Sequence, residues 1–346
     1  MRGRLKRREA DVENCGIDVA MKSSSVCILD GRGAVVLEQS ISTDEVGLGS
    51  VLSGRRRMRC VLEAGPLAEW MSKLLEQMGH EAVVIDARKA KGVIRTKKKT
   101  DRLDARNLAR MGKTGWYTAV HRKSAQARVT RTFLQARQGL VRTVLAQGSR
   151  IRGLLRAHGI KLGEVKESQF GSEVKRLACE KSQQLWEMLE PLVEVRRQAL
   201  RASEQMRRRM VGQATEGSVA RRLMAVPGVG PLTATAYVAT IDDPTRFRSS
   251  DQVAAYLGLV PSVAQSGELE VHGHITKEGD GLLRCYLVEA AHVLLTRKRG
   301  SCRLKQWGLK LAKKKGHGKA RVAVARKLAA LLHHLWITGE TYQATA

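Results

Sequence analysis

No stretch of this 346-residue chain stays apolar for the roughly 18–20 residues that a membrane-spanning helix needs. Its first residues, Met1-Arg2-Gly3-Arg4-Leu5-Lys6-Arg7-Arg8, are basic but run into Glu9 and Asp11 rather than an apolar segment, so no secretory leader is expected. The six cysteines, Cys15, Cys27, Cys60, Cys179, Cys285 and Cys302, form no Cys-x-x-Cys pair. His272, His274 and Cys285 lack a suitably spaced fourth ligand, so zinc is not expected, and reduced thiols in a cytoplasmic protein are the default. Acids are scarce: 33 Asp and Glu stand against 62 Lys and Arg, a formal charge of +29. A field of that sign attracts a polyanion; nucleic acid is the one expected, a membrane surface being the other to consider, and no spanning segment points to membrane. The length allows two or three domains with proper cores.

What acid there is sits in telling places. Between Arg88 and Lys113 there are eleven Lys or Arg and two acids, Asp101 and Asp104. Three residues apart, these carboxylates share one face of a helix, for which Thr100 is the expected N-cap. Two carboxylates inside a basic field make sense if a cation binds between them while a polyanion binds around them. A divalent metal at a phosphodiester meets both conditions, with Lys97, Lys98, Lys99, Arg102 and Arg106 expected to contact phosphate.

Upstream, Cys15 to Ala20 reads as an apolar strand interrupted by Asp18. Val26 to Leu29, a turn at Asp30-Gly31-Arg32-Gly33, and Ala34 to Leu37 follow as strand, turn and strand. Arg59 to Leu62 is a further short strand with Glu63 at its carboxyl end. Leu67 to Met78 has helical spacing closed by Gly79, and Glu81 to Ile85 is the next strand. This alternation predicts an α/β domain with a mixed sheet. A carboxylate inside a strand is costly unless paired or metal-bound. Asp18, Glu63, Asp101 and Asp104 gathered at one sheet edge would repel one another without metal, and suit one or two Mg²⁺ ions.

Gly-Ile-Asp-Val-Ala-Met-Lys (16–22), Leu-Glu-Ala-Gly (62–65) and Lys-Thr-Asp-Arg-Leu-Asp-Ala-Arg (99–106) together resemble the three acidic motifs of the DEDD insertion-sequence transposases. The resemblance implies an RNase H-like, RuvC-related domain over residues 12–117. Met21 stands where the family pattern has Lys directly after the Asp-Val-Ala, and Lys22 follows it.

Residues 118–215 read as a helical arm. Phe133, Leu134, Leu140, Val141, Val144, Leu145, Ile151, Leu154 and Leu155, then Val174, Leu177, Leu185, Met188, Leu192, Val195, Ala199, Met206 and Met210, recur at helical spacing, predicting two long helices in an antiparallel coiled-coil hairpin. Their arginine-rich outer faces read either as a solvated surface or as an oligomerisation arm that also touches phosphate. With only Phe133, Phe170 and Trp186 aromatic here, base stacking is not the obvious mode.

Residues 216–346 are expected to be mostly helical. Leu223 to Thr233 carries Pro-Gly-Val-Gly between two apolar segments, similar to a helix–hairpin–helix, in which Gly228 and Gly230 let backbone approach a phosphate at a helix N-terminus. Farther on, Tyr-Leu-Gly-Leu-Val-Pro (256–261), Ser266-Gly267 and Gly-His-Ile-Thr-Lys-Glu-Gly (273–279) with Arg284 resemble the C-terminal domain of the same transposases. In that family a serine of this loop is the proposed nucleophile, and Ser266 matches it, with Ser262 as the alternative. Its activation falls to metal, or to His272, His274 or Lys277, the last also an expected nucleic-acid contact. From Thr296 to Lys327 there are thirteen Lys or Arg and no acid, and Lys313, Lys314 and Lys315 are expected in a mobile basic stretch that clamps nucleic acid.

The resemblance implies a site-specific DNA recombinase that cuts and rejoins donor and target DNA through a serine-linked intermediate. It also implies guidance by a bridge RNA. A dimer or tetramer in a prokaryotic cytoplasm, associated with the nucleoid, is expected. Two other readings stay open from the residues: a metal-dependent junction nuclease that uses water, and a non-catalytic nucleic-acid scaffold.

Overall fold

The computed structural model describes residues 13–86, 100–213, 217–266, 269–297 and 302–343. Lys97, Lys98 and Lys99 lie outside them. The chain divides into two compact units, the first ending at Arg122 and the second starting at Lys123.

The first unit is a five-stranded mixed sheet. Its strands are β1 (Asn14–Asp18), β2 (Ser23–Leu29), β3 (Val35–Ser42), β4 (Arg59–Glu63) and β5 (Glu81–Ile85), in spatial order β3-β2-β1-β4-β5. β2 runs antiparallel to both β1 and β3, whereas β1, β4 and β5 are parallel. Side chains alternate across the sheet, and each parity finds its own cover. Cys15, Ile17, Val26, Ile28, Cys60, Leu62 and Val84 pack with Leu48 and Leu52 of α1 (Glu45–Leu52) and with Met71 and Leu75 of α2 (Ala68–Gln77). The opposite parity faces α3 (Asp101–Thr114): Cys27 and Leu29 meet Ala105 and Ala109, while Val61 and Ile85 meet Leu108 and Met111. Burying each large apolar side chain contributes about 1.5–3 kcal/mol, so a one-residue slip of register would forfeit both layers.

Asp18 is the last residue of β1, not an interior one, with Val19 and Ala20 already outside the strand. The strand ends where its carboxylate can stay half-buried rather than enter the core, which removes most of the desolvation cost.

In the second unit α4 (Ala125–Ala157) and α6 (Gln183–Gln213) pack antiparallel. Leu134 and Met210 share one core cluster, while Ile151 and Leu155 share another with Leu185 and Leu189. The apolar run from Val174 to Met210, read as a single helix, is two: α5 (Phe170–Lys181) and α6. They part at Ser182, whose backbone is extended (φ −169°, ψ 148°) and whose hydroxyl accepts from the Leu185 N–H, a capping preference that outcompetes helical continuity.

The rest is α7 (Val219–Leu223), α8 (Pro231–Ile241), α9 (Ser250–Tyr256), the hairpin β6 (Pro261–Ser266) and β7 (Leu269–Ile275), α10 (Gly281–Thr296), α11 (Arg303–Lys315) and α12 (His317–Thr338). Tyr237 of α8 is fully buried and donates to the Ala329 carbonyl of α12 at 2.8 Å, and burial pushes its phenol well above its ordinary range. The basic stretch around Lys313 is ordered helix rather than a mobile one. Gly308 and Ala312 of α11 are buried, Gly308 beside Val324 of α12 and Leu295 of α10, and this packing holds α11 in place despite its charge.

Candidate nucleic-acid and metal site

Asp18 and Glu63 each follow by one residue the paired positions Ile17 and Leu62, so they end two adjacent parallel strands side by side. Asp18 shares the parity of Gly16, and Glu63 that of Val61, so both belong to the face covered by α3. That helix starts at the same edge. Thr100 caps it, its hydroxyl accepting from the Leu103 N–H, and the first turn carries Asp101, exposed, and Asp104, half-buried.

The approach of α3 to the sheet depends on Gly16, where a Cβ would stand 2.0 Å from the Ala105 carbonyl oxygen and 2.3 Å from the Ala109 nitrogen. At about 100° per residue, Ala105 and Ala109 define the buried stripe. Asp104, Leu108 and Met111 lie to one side of it, toward β4 and β5, and Arg102 and Arg106 to the other, toward β2 and β3. The acidic pair is thereby turned to the Glu63 side of the sheet.

The sequence reading missed the residue that holds the basic flank. Glu38 of β3 stands in register with Cys27, on the α3 face, and its side chain is only 6% exposed. Arg106 donates to it twice, at 2.7 and 2.8 Å, and Arg102 donates from the preceding turn. The Arg106 hydrogen bond, then Arg102, hold the Glu38 carboxyl down at about 2, while burial pushes the neighbouring Cys27 thiol up to about 11. Arg102 and Arg106, expected on phosphate, are thus engaged within the protein. The available signal was that Glu38 is the only acid in Val35–Ser42.

In the second unit Ser266 is the last residue of β6, in register with Leu269. Ser262, at the other end of the strand, donates its hydroxyl to the His274 carbonyl at 3.0 Å, a bond across the hairpin. The base of the hairpin is interlocked. A Cβ on Gly258 would fall 2.3 Å from the Glu278 oxygen, and one on Gly279 would fall 2.0 Å from the Tyr256 oxygen. Arg284 donates to the carbonyls of Leu257 and Glu278 at 2.8 and 2.7 Å. Between these contacts Lys277 is exposed at φ 57°, left-handed backbone that a lysine rarely adopts.

Gly230 N-caps α8 with open space beside it, as phosphate approach requires. Gly228 has a different reason to be glycine: at φ 88° its Cβ would lie 2.4 Å from the Ala290 oxygen of α10, so it serves core packing. Lys313, Lys314 and Lys315 are exposed in the last turn of α11, where their charge suits the helix dipole.

Asp18, Glu63, Asp101 and Asp104 offer only carboxylate oxygens, the donor chemistry of a hard divalent cation. Among the described residues, however, no three His, Cys, Asp or Glu side chains already stand as a metal-holding group. No described helix is long and apolar enough to cross a membrane.

Comparison with known proteins covers both units. A family model for a DEDD transposase of the IS110 type, described as "Transposase", matches residues 15–160. A second, described as "Transposase IS116/IS110/IS902 family", matches residues 220–307. The chain is 27% identical over 351 residues to "Transposase for insertion sequence element IS1111A" of Coxiella burnetii, covering 99% of this chain and 94% of that protein. It is 28% identical over 242 residues to "Probable family 20 transposase" of Pseudomonas aeruginosa, covering 68% and 70%. It is 24% identical over 298 residues to "Transposase for insertion sequence element IS1328" of Yersinia enterocolitica, covering 84% and 87%.

Proposed function

From a chain that carries both transposase domains of the IS110/IS116 insertion-sequence family, we propose a DNA transposase that cuts and rejoins strands through a serine-linked phosphodiester, guided by a bridge RNA. The observation that carries the reading is that Asp18 and Glu63 end adjacent parallel strands, one residue beyond the last registered pair, on the face where the Asp101–Asp104 turn begins. The strand order β3-β2-β1-β4-β5 supports an RNase H-like reading of this unit.

Asp18, Glu63, Asp101 and Asp104 would hold Mg²⁺, which when bound polarises the scissile phosphate and lowers the pKa of the attacking group. The Ser266 hydroxyl attacks phosphorus. A phosphorus–Oγ bond forms, the phosphorus–O3′ bond breaks, and the serine proton ends on the departing 3′ oxygen. Attack by a 3′ hydroxyl of the partner strand then reverses these changes and restores the serine, so joining needs no outside energy source. Ser262, the alternative, donates its hydroxyl to the His274 carbonyl across the hairpin. Lys277, Gly230 and Lys313 to Lys315 would contact phosphate, with Lys97 to Lys99 adding charge beside the acidic turn. An oligomer of two or four chains would hold two duplexes at once.

The test is cleavage of labelled element-end DNA with Mg²⁺ and the flanking noncoding RNA. Asp101→Asn and Asp104→Asn should each lower cleavage at least 100-fold while DNA and RNA affinity stays within about twofold. Cleavage at wild-type rates by both variants contradicts the proposal.

A further inference from the structure

The acidic turn depends on how α3 is rolled on the sheet. Ala105 and Ala109 rest on Gly16, small groups that fix the distance between helix and strand, and on the β4–β5 side Leu108 and Met111 pack with Val61 and Ile85. On the opposite flank the contact is polar and directional. Glu38 takes both guanidinium groups one turn apart, Arg106 through two parallel N–H donors and Arg102 through its Nε. Arg102 and Arg106 lie on the opposite side of the buried stripe from Asp104. Any roll that carried Asp101 and Asp104 away from the Asp18–Glu63 edge would therefore pull the arginines off Glu38.

We propose that Glu38 is a positioning residue for the metal site: by clamping Arg102 and Arg106 it holds the roll of α3 from the β2–β3 side, keeps the turn that carries Asp101 and Asp104 at the edge where Asp18 and Glu63 end their strands, and so sets the affinity for divalent metal. The proposal rests on the reading of those four carboxylates as metal ligands. The Arg106 fork, already matched to the carboxylate through two N–H donors, supports a structural clamp, and Arg102 joins it from a more exposed side chain.

The experiment titrates Mg²⁺ alone into the full-length chain by calorimetry, and in parallel measures the Mg²⁺ concentration for half-maximal DNA cleavage. Glu38→Gln should weaken Mg²⁺ binding about tenfold and raise the half-maximal concentration equally, with cleavage at saturating Mg²⁺ largely recovered and DNA affinity unchanged. Arg106→Lys keeps the charge but loses the fork, and should reproduce the shift more weakly, which preserves the test if Glu38→Gln folds poorly. Unchanged Mg²⁺ affinity in either folded variant overturns the proposal. So does a Glu38→Gln variant whose only change is tighter DNA binding with a steeper salt dependence, because Glu38 would then merely mask phosphate-binding arginines. The Asp101→Asn, Asp104→Asn double variant separates the two readings. If it binds Mg²⁺ like wild type, the carboxylate reading fails. If it loses Mg²⁺ while Glu38→Gln keeps it, only the role of Glu38 fails.

Discussion

Gly16 and Ala105 touch backbone to backbone: any side chain at Gly16 would collide with the Ala105 carbonyl oxygen at 2.0 Å. The carboxylates at the strand ends and those on the helix come to the same edge because this contact is so close. Gly16→Ala must push α3 off the sheet. It should cost about 1–3 kcal/mol, read as a lowered midpoint in urea, and reduce cleavage more than DNA binding. A Gly16→Ala variant with unchanged stability and cleavage would mean that α3 is not held there.

Lys277 trades stability for a side chain. Its left-handed backbone suits glycine, so Lys277→Gly should stabilise the second unit by about 0.5–1 kcal/mol in thermal unfolding. If the lysine is kept for nucleic acid, the same change should weaken DNA binding and lower the salt dependence of binding by about one counterion. A variant that is more stable and binds DNA as well as before would assign the strain no functional meaning.

Acid should loosen the first unit through Glu38. Its folded value, about 2, lies below the ordinary 4.5, so the ion pairs stabilise fully above about 4.5 and are lost as pH falls toward 2. Glu38→Gln lacks this ionisation. Its stability deficit against wild type, about 1–3 kcal/mol at pH 6, should shrink between pH 4.5 and 2 when followed by urea unfolding. A deficit constant across that window would show that the carboxylate charge contributes nothing.

What the sequence made legible was local. Thr100 and the Asp pair mark the start of α3 through capping chemistry, and short apolar runs mark all five strands of the sheet. The placement of Glu63 at a strand end follows from where its apolar run stops, whereas Asp18 reads as interior because Val19 and Ala20 prolong the apolar run past the true end of β1. Long-range pairing was not legible. Glu38 meets Arg102 and Arg106 across 64 and 68 positions, and no local periodicity encodes such a contact. Gly228 looked like a phosphate glycine because its close neighbour, Ala290, belongs to a distant helix. The split at Ser182 was hidden by an apolar rhythm that continues across it, and the order of α11 by a lysine run that masks its buried Gly308 and Ala312.

The most direct test of the account is covalent capture. Full-length protein is incubated with Mg²⁺, flanking RNA and labelled element-end DNA, quenched in denaturant, and the DNA-linked species is digested and mapped by mass spectrometry. The account predicts a protein–DNA adduct with the 5′ phosphate on Ser266, absent from Ser266→Ala, which should still fold and bind DNA. An adduct that persists in Ser266→Ala, or cleavage by wild type with no adduct at any time, contradicts it; the latter would make water the nucleophile at the carboxylate edge.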